Sequence, residues 1–252
     1  MSNAIFFCGD PHGRFDHIIQ AVEQHLPEAV ILLGDLQAIR PLEVELAPIL
    51  DKTEIWFIHG NHDTDSEADY DNLFGSALAG RNLHGRVVEI AGVRIAGLGG
   101  VFRGKVWDGG APIQYSSATE FIVRGGQGNR WRGGLALRHR STIFPDAYFQ
   151  LAAKRADVLV THEAHSANPH GFKAIDELGR ALQVQTSFHG HHHKRMDYCT
   201  EEWLGFKAFG VGLRGIADLD GQVIVEGEYD RVDWPSAGPG EVTTAAPTPE
   251  QE

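Results

Sequence analysis

Cysteine is scarce in this sequence: two in 252 residues, Cys8 and Cys199. A disulfide framework is therefore not expected, and a reducing cytoplasm is the expected compartment. No stretch approaches the roughly 18 apolar residues of a membrane helix, so no membrane span is expected. The N-terminus has no basic region ahead of its short apolar run Ile5-Phe6-Phe7, and a secretory signal is not expected either. Internal repeats are absent. Positive charge is in deficit: 22 Lys and Arg stand against 34 Asp and Glu, a net charge of −12. That balance argues against wholesale nucleic-acid binding and leaves nucleic acid only as a substrate class.

Histidine, by contrast, is abundant, with 14 residues. Hydrophobic content of 42% with 22% charged residues is ordinary for a globular chain. The length predicts one domain over residues 1–234, carrying loop insertions. After Trp234 the composition turns to Pro, Gly, Ala, Thr and Glu, and residues 235–252 read as a disordered tail.

The pattern repeats a theme: an apolar run, then glycine beside a carboxylate, amide or imidazole, then a helical stretch. Ala4–Cys8 leads into Gly9-Asp10-Pro11-His12-Gly13, and a helix follows from Phe15 or Asp16 with Ile18, Ile19, Val22 and Leu26 on one face. Ala29–Leu33 leads into Gly34-Asp35, with a helix over about 42–50. Ile55–Ile58 leads into His59-Gly60-Asn61-His62-Asp63. Val87–Ile90 and Val93–Ala96 read as a hairpin. Later, Val158–Val160 precedes Thr161-His162-Glu163, and Leu182–Phe188 precedes His189-Gly190-His191-His192-His193. Alternating strands and helices predict an α/β fold with parallel pairs. Ligands of such sheets sit at the carboxyl ends of the strands, so all these clusters fall on one rim. His191 and His193 are two apart, and in extended backbone they point to one side while His192 points away.

Between about 100 and 142 the sequence becomes rich in glycine and arginine. From Val101 to Arg140 there are seven basic residues against Asp108 and Glu120, a local surplus of five positive charges. This basic insertion reads either as a solvated loop or as a phosphate-binding surface, since guanidinium meets phosphate bidentately.

Five strand ends thus offer Asp10 and His12, Asp35, Asn61 and His62, His162, and His191 with His193. Hard oxygen donors mixed with imidazoles suit Mn²⁺ first, with Fe or Zn²⁺ as alternatives, rather than Ca²⁺ or a thiolate site. The donors exceed what one ion needs, so two divalent ions are the economical reading, with the Asp35 carboxylate as bridge. Two such ions deprotonate a shared water and clamp an in-line displacement at phosphorus.

In this order the motifs Asp10-x-His12, Gly34-Asp35, Gly60-Asn61-His62-Asp63, His162 and Gly190-His191-x-His193 resemble the calcineurin-like metallophosphoesterase superfamily over roughly residues 4–230. The resemblance implies a four-layer α/β/β/α sandwich of two mixed sheets flanked by helices. It implies one ion on Asp10, His12, Asp35 and His193 and another on Asp35, Asn61, His162 and His191. His62 would contact the phosphate or protonate the leaving oxygen, and Asp63 would orient it. The first motif is similar to the serine/threonine phosphatase and diadenosine tetraphosphatase branch. That branch continues its second motif as Gly-Asp-x-x-Asp-Arg-Gly, whereas this chain reads Gly34-Asp35-Leu36-Gln37-Ala38-Ile39-Arg40. Arg14, Arg40 or Arg103 are the candidates to replace the missing phosphate-binding arginine. The expected reaction is hydrolysis of a phosphoester, with phosphatase action on a protein or nucleotide monoester favoured. The alternatives are a cyclic-nucleotide or nucleic-acid phosphodiesterase, a dinucleoside polyphosphate hydrolase, and, in a different class, a non-catalytic binding scaffold. Glu163 is expected to orient a ligand, His189 to pack behind the site, and His17, His25, His84 and His139 to lie at the surface.

Overall fold

The computed structural model describes residues 4–126 and 130–231. The tail expected at 235–252 lies outside the described residues. Four buried residues in a row, Ile5–Cys8, form β1, and Asp16–His25 form α1. Then come β2 (Ala29–Leu33), α2 (Leu42–Glu45), β3 (Glu54–Ile58) and α3 (Glu67–Phe74). The hairpin β4 (Arg86–Ile90) and β5 (Val93–Leu98) precedes the insertion, which contains α4 (Ala118–Arg124) and the short hairpin β6 (Arg130–Trp131) with β7 (Gly134–Leu135). The chain then runs through α5 (Pro145–Ala152), β8 (Val158–Thr161), α6 (Lys173–Leu182), β9 (Thr186–His189), β10 (Met196–Asp197), β11 (Lys207–Gly210), β12 (Ile216–Asp218) and β13 (Val223–Val225).

Two mixed sheets result. One has the order β13-β12-β1-β2-β3, the other β10-β11-β9-β8-β5-β4. In the first, β1, β2 and β3 are parallel; in the second, β11, β9, β8 and β5 are. Strands buried on both faces read as unbroken apolar runs, which is why Val30-Ile31-Leu32-Leu33 shows no alternation. Their side chains nevertheless divide by parity. Ile5, Phe7, Ile31, Leu33 and Ile58 pack between the sheets against Ile95, Val160, Phe188 and Phe209. Phe7 and Phe188 stack there with ring centroids 3.8 Å apart. Phe6, Cys8, Val30 and Leu32 face outward onto Ile18, Val22 and Leu46. Ala96, Leu98 and Leu159 face the other way onto Tyr148, Leu151, Ile175 and Leu178 of α5 and α6. Three apolar interfaces separating helix, sheet, sheet and helix are the four layers.

Two local readings are corrected. Leu26 does not belong to the buried face of α1. It caps the helix in the left-handed region at φ 49°, which swings its side chain to 66% exposure. The helix over 42–50 stops after one turn and resumes as a 3₁₀ turn at Ala47–Ile49, because Pro48 has no N–H to continue the ladder.

The parallel strands of both sheets end on the same rim, where the layers are stitched together by backbone. Gly100 N donates to His59 O at 2.6 Å, Arg214 N to Gly9 O at 2.9 Å, and Leu213 N to His193 O at 3.0 Å.

Candidate metal centre

Each polar cluster continues directly from one of these strand ends: β1 into Asp10 and His12, β2 into Asp35, β3 into Asn61 and His62, β8 into His162, β9 into His191 and His193. Asp35 lies at the middle. His12, Asp35 and His193 bring ligand-type atoms within 4.8 Å of one another, and so do Asp35, His162 and His191. Asp35 Oδ2 is 3.2 Å from His162 Nε2 and 3.9 Å from His12 Nε2. His162 Nε2 also lies 3.2 Å from Asn61 Oδ1 and 3.1 Å from His191 Nδ1. His12 Nε2 faces His193 Nε2 at 3.0 Å. Asp10 sits deeper, accepting from the His191 backbone N–H on both oxygens, with Oδ1 3.7 Å from His162 Nδ1.

These distances fit a cation. The far nitrogens of two rings are already committed: His12 Nδ1 donates to Gln37 Oε1 at 2.6 Å, and His162 Nδ1 donates to the Leu33 carbonyl at 2.8 Å. In the neutral ring, each of these tautomers leaves Nε2 as the lone-pair nitrogen pointing into the cluster. Asp35 Oδ2 is buried and has no hydrogen-bond partner, which is costly for a carboxylate oxygen unless a positive charge faces it. Asp10, His12, Asp35, His191 and His193 all hold positive φ, between 37° and 71°. Each such residue costs on the order of 1 kcal/mol or more, and a group of them at one rim is the kind of strain that marks a functional site.

Positive φ also corrects the reading of the histidine run. β9 ends at His189, and His191 (φ 71°) and His193 (φ 58°) are left-handed, not extended. The backbone turns twice, and this, rather than strand alternation, brings their rings to the cluster. Two glycines make room. A Cβ on Gly60 would fall 2.1 Å from Asp35 Oδ1, and one on Gly34 (φ 100°) would fall 2.4 Å from His162 Nδ1.

The electrostatics follow from burying like and unlike charges together. Burial, followed by the Asp35 charge, pushes Asp10 up to about 8 despite His162. Burial would raise Asp35 too, but His162 outweighs it and holds this carboxyl below the usual range. Burial would lower His162, yet Asp35 and Asp10 raise it to about 10. In the metal-free protein a proton thus occupies the position where positive charge is wanted. Burial, then the neighbouring His162, keeps His191 well below the ordinary histidine value, and burial with His12 puts His193 at about 4. Both are neutral imidazoles, as ligands must be.

His62 stands on the rim with its side chain 42% exposed, its ring centroid 5.5 Å from that of His12. Burial acts to lower it, but Asp35 and Asp65 carry it above its ordinary value. The carboxylate on His62 Nδ1 is Asp65 Oδ2, at 2.5 Å. This corrects the expectation that Asp63 orients His62. Asp63 points inward, accepts from the backbone N–H groups of Leu36, Gln37 and Gly60 at 2.8–2.9 Å, and ties two rim loops together. The reason is local: His62–Thr64 forms a 3₁₀ turn capped by Asn61 and Asp65, in which residues three apart share a face and adjacent residues do not. Sequence reasoning missed Asp65 and Gln37. The spacing of Asp65 from His62 was a usable signal; nothing marked Gln37.

Of the three arginines offered as phosphate binders, two are paired with surface carboxylates and the third is not. Arg14 pairs with Glu228 at 3.2 Å and Arg40 with Glu45 at 2.9 Å, both on the surface. Arg103 is half-buried and donates to Thr142 Oγ1, Ser141 Oγ and the Arg138 carbonyl. Much of the insertion's charge is spent internally: Arg124 pairs with Glu120, and Arg132 grips Asp71 and Glu67 of α3. Glu163 accepts from Phe102 N at 3.0 Å and so anchors the start of the insertion instead of orienting a ligand. His189 packs behind the cluster against Tyr198 OH at 3.2 Å. His17, His25, His84 and His139 are partly buried rather than at the surface.

An uncharacterized protein of Haemophilus influenzae is 42% identical over 227 residues, 90% of this chain and 99% of that protein. The crystal structure of TT1561 of Thermus thermophilus covers 88% of this chain and 97% of its own at a TM-score of 0.54 and 14% identity, a likeness of fold. Among the described residues no helix is long and apolar enough to cross a membrane. The family model for Calcineurin-like phosphoesterase matches residues 4–195. The chain belongs to that family and is a metal-dependent phosphoesterase.

Proposed function

We propose that this protein hydrolyses phosphoesters with two divalent ions, Asp10, His12, Asp35 and His193 holding one and Asp35, Asn61, His162 and His191 the other. The observation that carries the reading is Asp35 Oδ2, buried, without a hydrogen-bond partner, and set between the free nitrogens of His12 and His162. When bound, the ions supply Lewis acidity, making a water nucleophilic at neutral pH and neutralising charge on the phosphoryl oxygens. Mn²⁺ is the first choice for this mixture of carboxylate, amide and imidazole donors, with Fe or Zn²⁺ as the alternatives.

The chain's own residues do the rest. His162 and His12, each fixed in one tautomer, hold Nε2 toward the centre. His62 donates a proton to the departing oxygen and contacts the phosphate as a cation. Asp35, with His62 N–H on its other oxygen at 2.9 Å, keeps that turn against the centre. A positively charged imidazole beside two metal ions favours a dianionic phosphate, so a phosphomonoester is the preferred substrate. Residues 1–234 act as one unit, and the unpaired Cys8 and Cys199 suit a reducing cytoplasm. The test is hydrolysis of p-nitrophenyl phosphate and of its bis-ester by metal-stripped protein before and after Mn²⁺ is added. The reading expects no turnover without metal, recovery with Mn²⁺, and preference for the mono-ester. Turnover that survives chelation would overturn it.

A further inference from the structure

The insertion leaves some of its charge unspent, and it does so beside the catalytic turn. Thr64, two residues after His62, shares a hydrogen bond with Ser141 at 2.7 Å, and Ser141 Oγ accepts from Arg103 Nη2 at 3.0 Å. Arg103 is therefore two hydrogen bonds from the His62 turn. Its guanidinium is held by three neutral oxygens, those of Thr142, Ser141 and the Arg138 carbonyl. Among the described residues neither Arg103 nor Lys105 has a carboxylate within ion-pair distance, unlike Arg14, Arg40, Arg124 and Arg132. Arg138, whose carbonyl is one of these acceptors, brings its own charge close to Arg103. Burial and then Arg138 lower Arg103 to about 10, and burial followed by Arg103, Lys105 and Arg138 lowers His139 to about 4. Positive charge is crowded here in a chain that is acidic overall. Glu163 and Asp65 offset this only in part: neither makes an ion pair with Arg103, Asp65 is engaged by His62, and burial raises Glu163 to about 7.

A half-buried guanidinium with exposed cations beside it is stabilised by an anion, and a guanidinium pre-oriented by neutral acceptors loses little freedom on meeting one. We propose that Arg103, Lys105 and Arg138 form a second anion subsite, which takes a second phosphate of the substrate while the first is hydrolysed at the metal centre. The substrate class is then a small molecule with two phosphates separated by a sugar-sized spacer, as in a nucleoside bisphosphate. A spacer is required because Arg103 reaches the His62 turn only through Ser141 and Thr64 and is not part of the metal cluster. This inference rests on the two-metal reading above.

The experiment is steady-state hydrolysis by the Mn²⁺-loaded full chain of adenosine 3′,5′-bisphosphate, adenosine 5′-monophosphate and p-nitrophenyl phosphate. The ratio of kcat/KM, bisphosphate over monophosphate, is expected to exceed tenfold and to collapse toward one in Lys105→Glu, an exposed position where folding is not at stake. Arg103→Lys keeps the charge but loses the fork, and is expected to lower the ratio to an intermediate value. A ratio near one in the unaltered protein, or one unmoved by Lys105→Glu, overturns the subsite. Failure of all three substrates with Mn²⁺ present overturns instead the two-metal reading on which it stands.

Discussion

His162 Nε2 lies 3.2 Å from Asp35 Oδ2, with both side chains fully buried. Without metal, the Asp35 and Asp10 charges keep His162 protonated, and burial keeps Asp10 protonated nearby. Ligands must give up their protons to bind a cation, so metal binding and proton release are linked. With His162 raised to about 10 and Asp10 to about 8, both hold protons at pH 7, and binding expels between one and two per chain. At pH 9 Asp10 has already ionised, and release falls toward one. Metal affinity therefore rises with pH, more steeply near 7 than near 9. Calorimetric titration of Mn²⁺ in buffers of different protonation enthalpy measures the number; no release at either pH would show that His162 and Asp10 do not change state.

Asp65 and Asp63 separate by role although both neighbour His62. Asp65→Asn leaves the backbone contacts intact and loosens only the hold on His62 Nδ1. Its kcat is expected to fall roughly tenfold with phenyl phosphate and much less with p-nitrophenyl phosphate, whose leaving group needs little protonation. Asp63→Asn removes part of a buried acceptor of three N–H groups and is expected to lower the melting temperature instead, at a cost of about 1–3 kcal/mol. Equal responses to the two leaving groups in Asp65→Asn would contradict the positioning of His62.

Gly60→Ala tests the crowding of the centre. A Cβ there meets Asp35 Oδ1 at 2.1 Å and His162 Cε1 at 2.6 Å, and neither side chain can retreat from a buried site. Metal content is expected to drop by more than half while the far-ultraviolet circular dichroism is kept. A fully metallated, fully active variant would mean that these two groups are not held where they are described.

Phe188 stacks on Phe7 between the two sheets, just ahead of the turn that carries His191 and His193. Phe188→Ala opens a cavity at the joint of the layers and is expected to cost about 3–5 kcal/mol in denaturant unfolding. A loss below about 1 kcal/mol would place little of the stability at that joint.

The fold is legible in the sequence because its buried strands are unbroken apolar runs that end in polar residues, in β1, β2, β3 and β9 beside a glycine. The same regularity sets Asp10, Asp35 and His162 at one rim. What stays hidden is whatever depends on backbone turning inside a loop. The positive φ of His191 and His193 replaces the alternation of a strand, and the 3₁₀ turn gives His62 to Asp65 instead of Asp63. The basic insertion is visible as a charge surplus, but the pairing of Arg132 with Glu67 and Asp71 joins residues more than 60 apart, beyond any local pattern.

The central claim is that Asp35 joins two ions, and the direct measurement is metal per chain together with turnover in Asp35→Asn. The unaltered protein is expected to bind two Mn²⁺ and to hydrolyse p-nitrophenyl phosphate. The variant, with one acceptor oxygen lost from the shared position, is expected to bind fewer than one ion and to lose activity by at least a hundredfold. An Asp35→Asn protein that keeps two ions and full turnover would contradict the account.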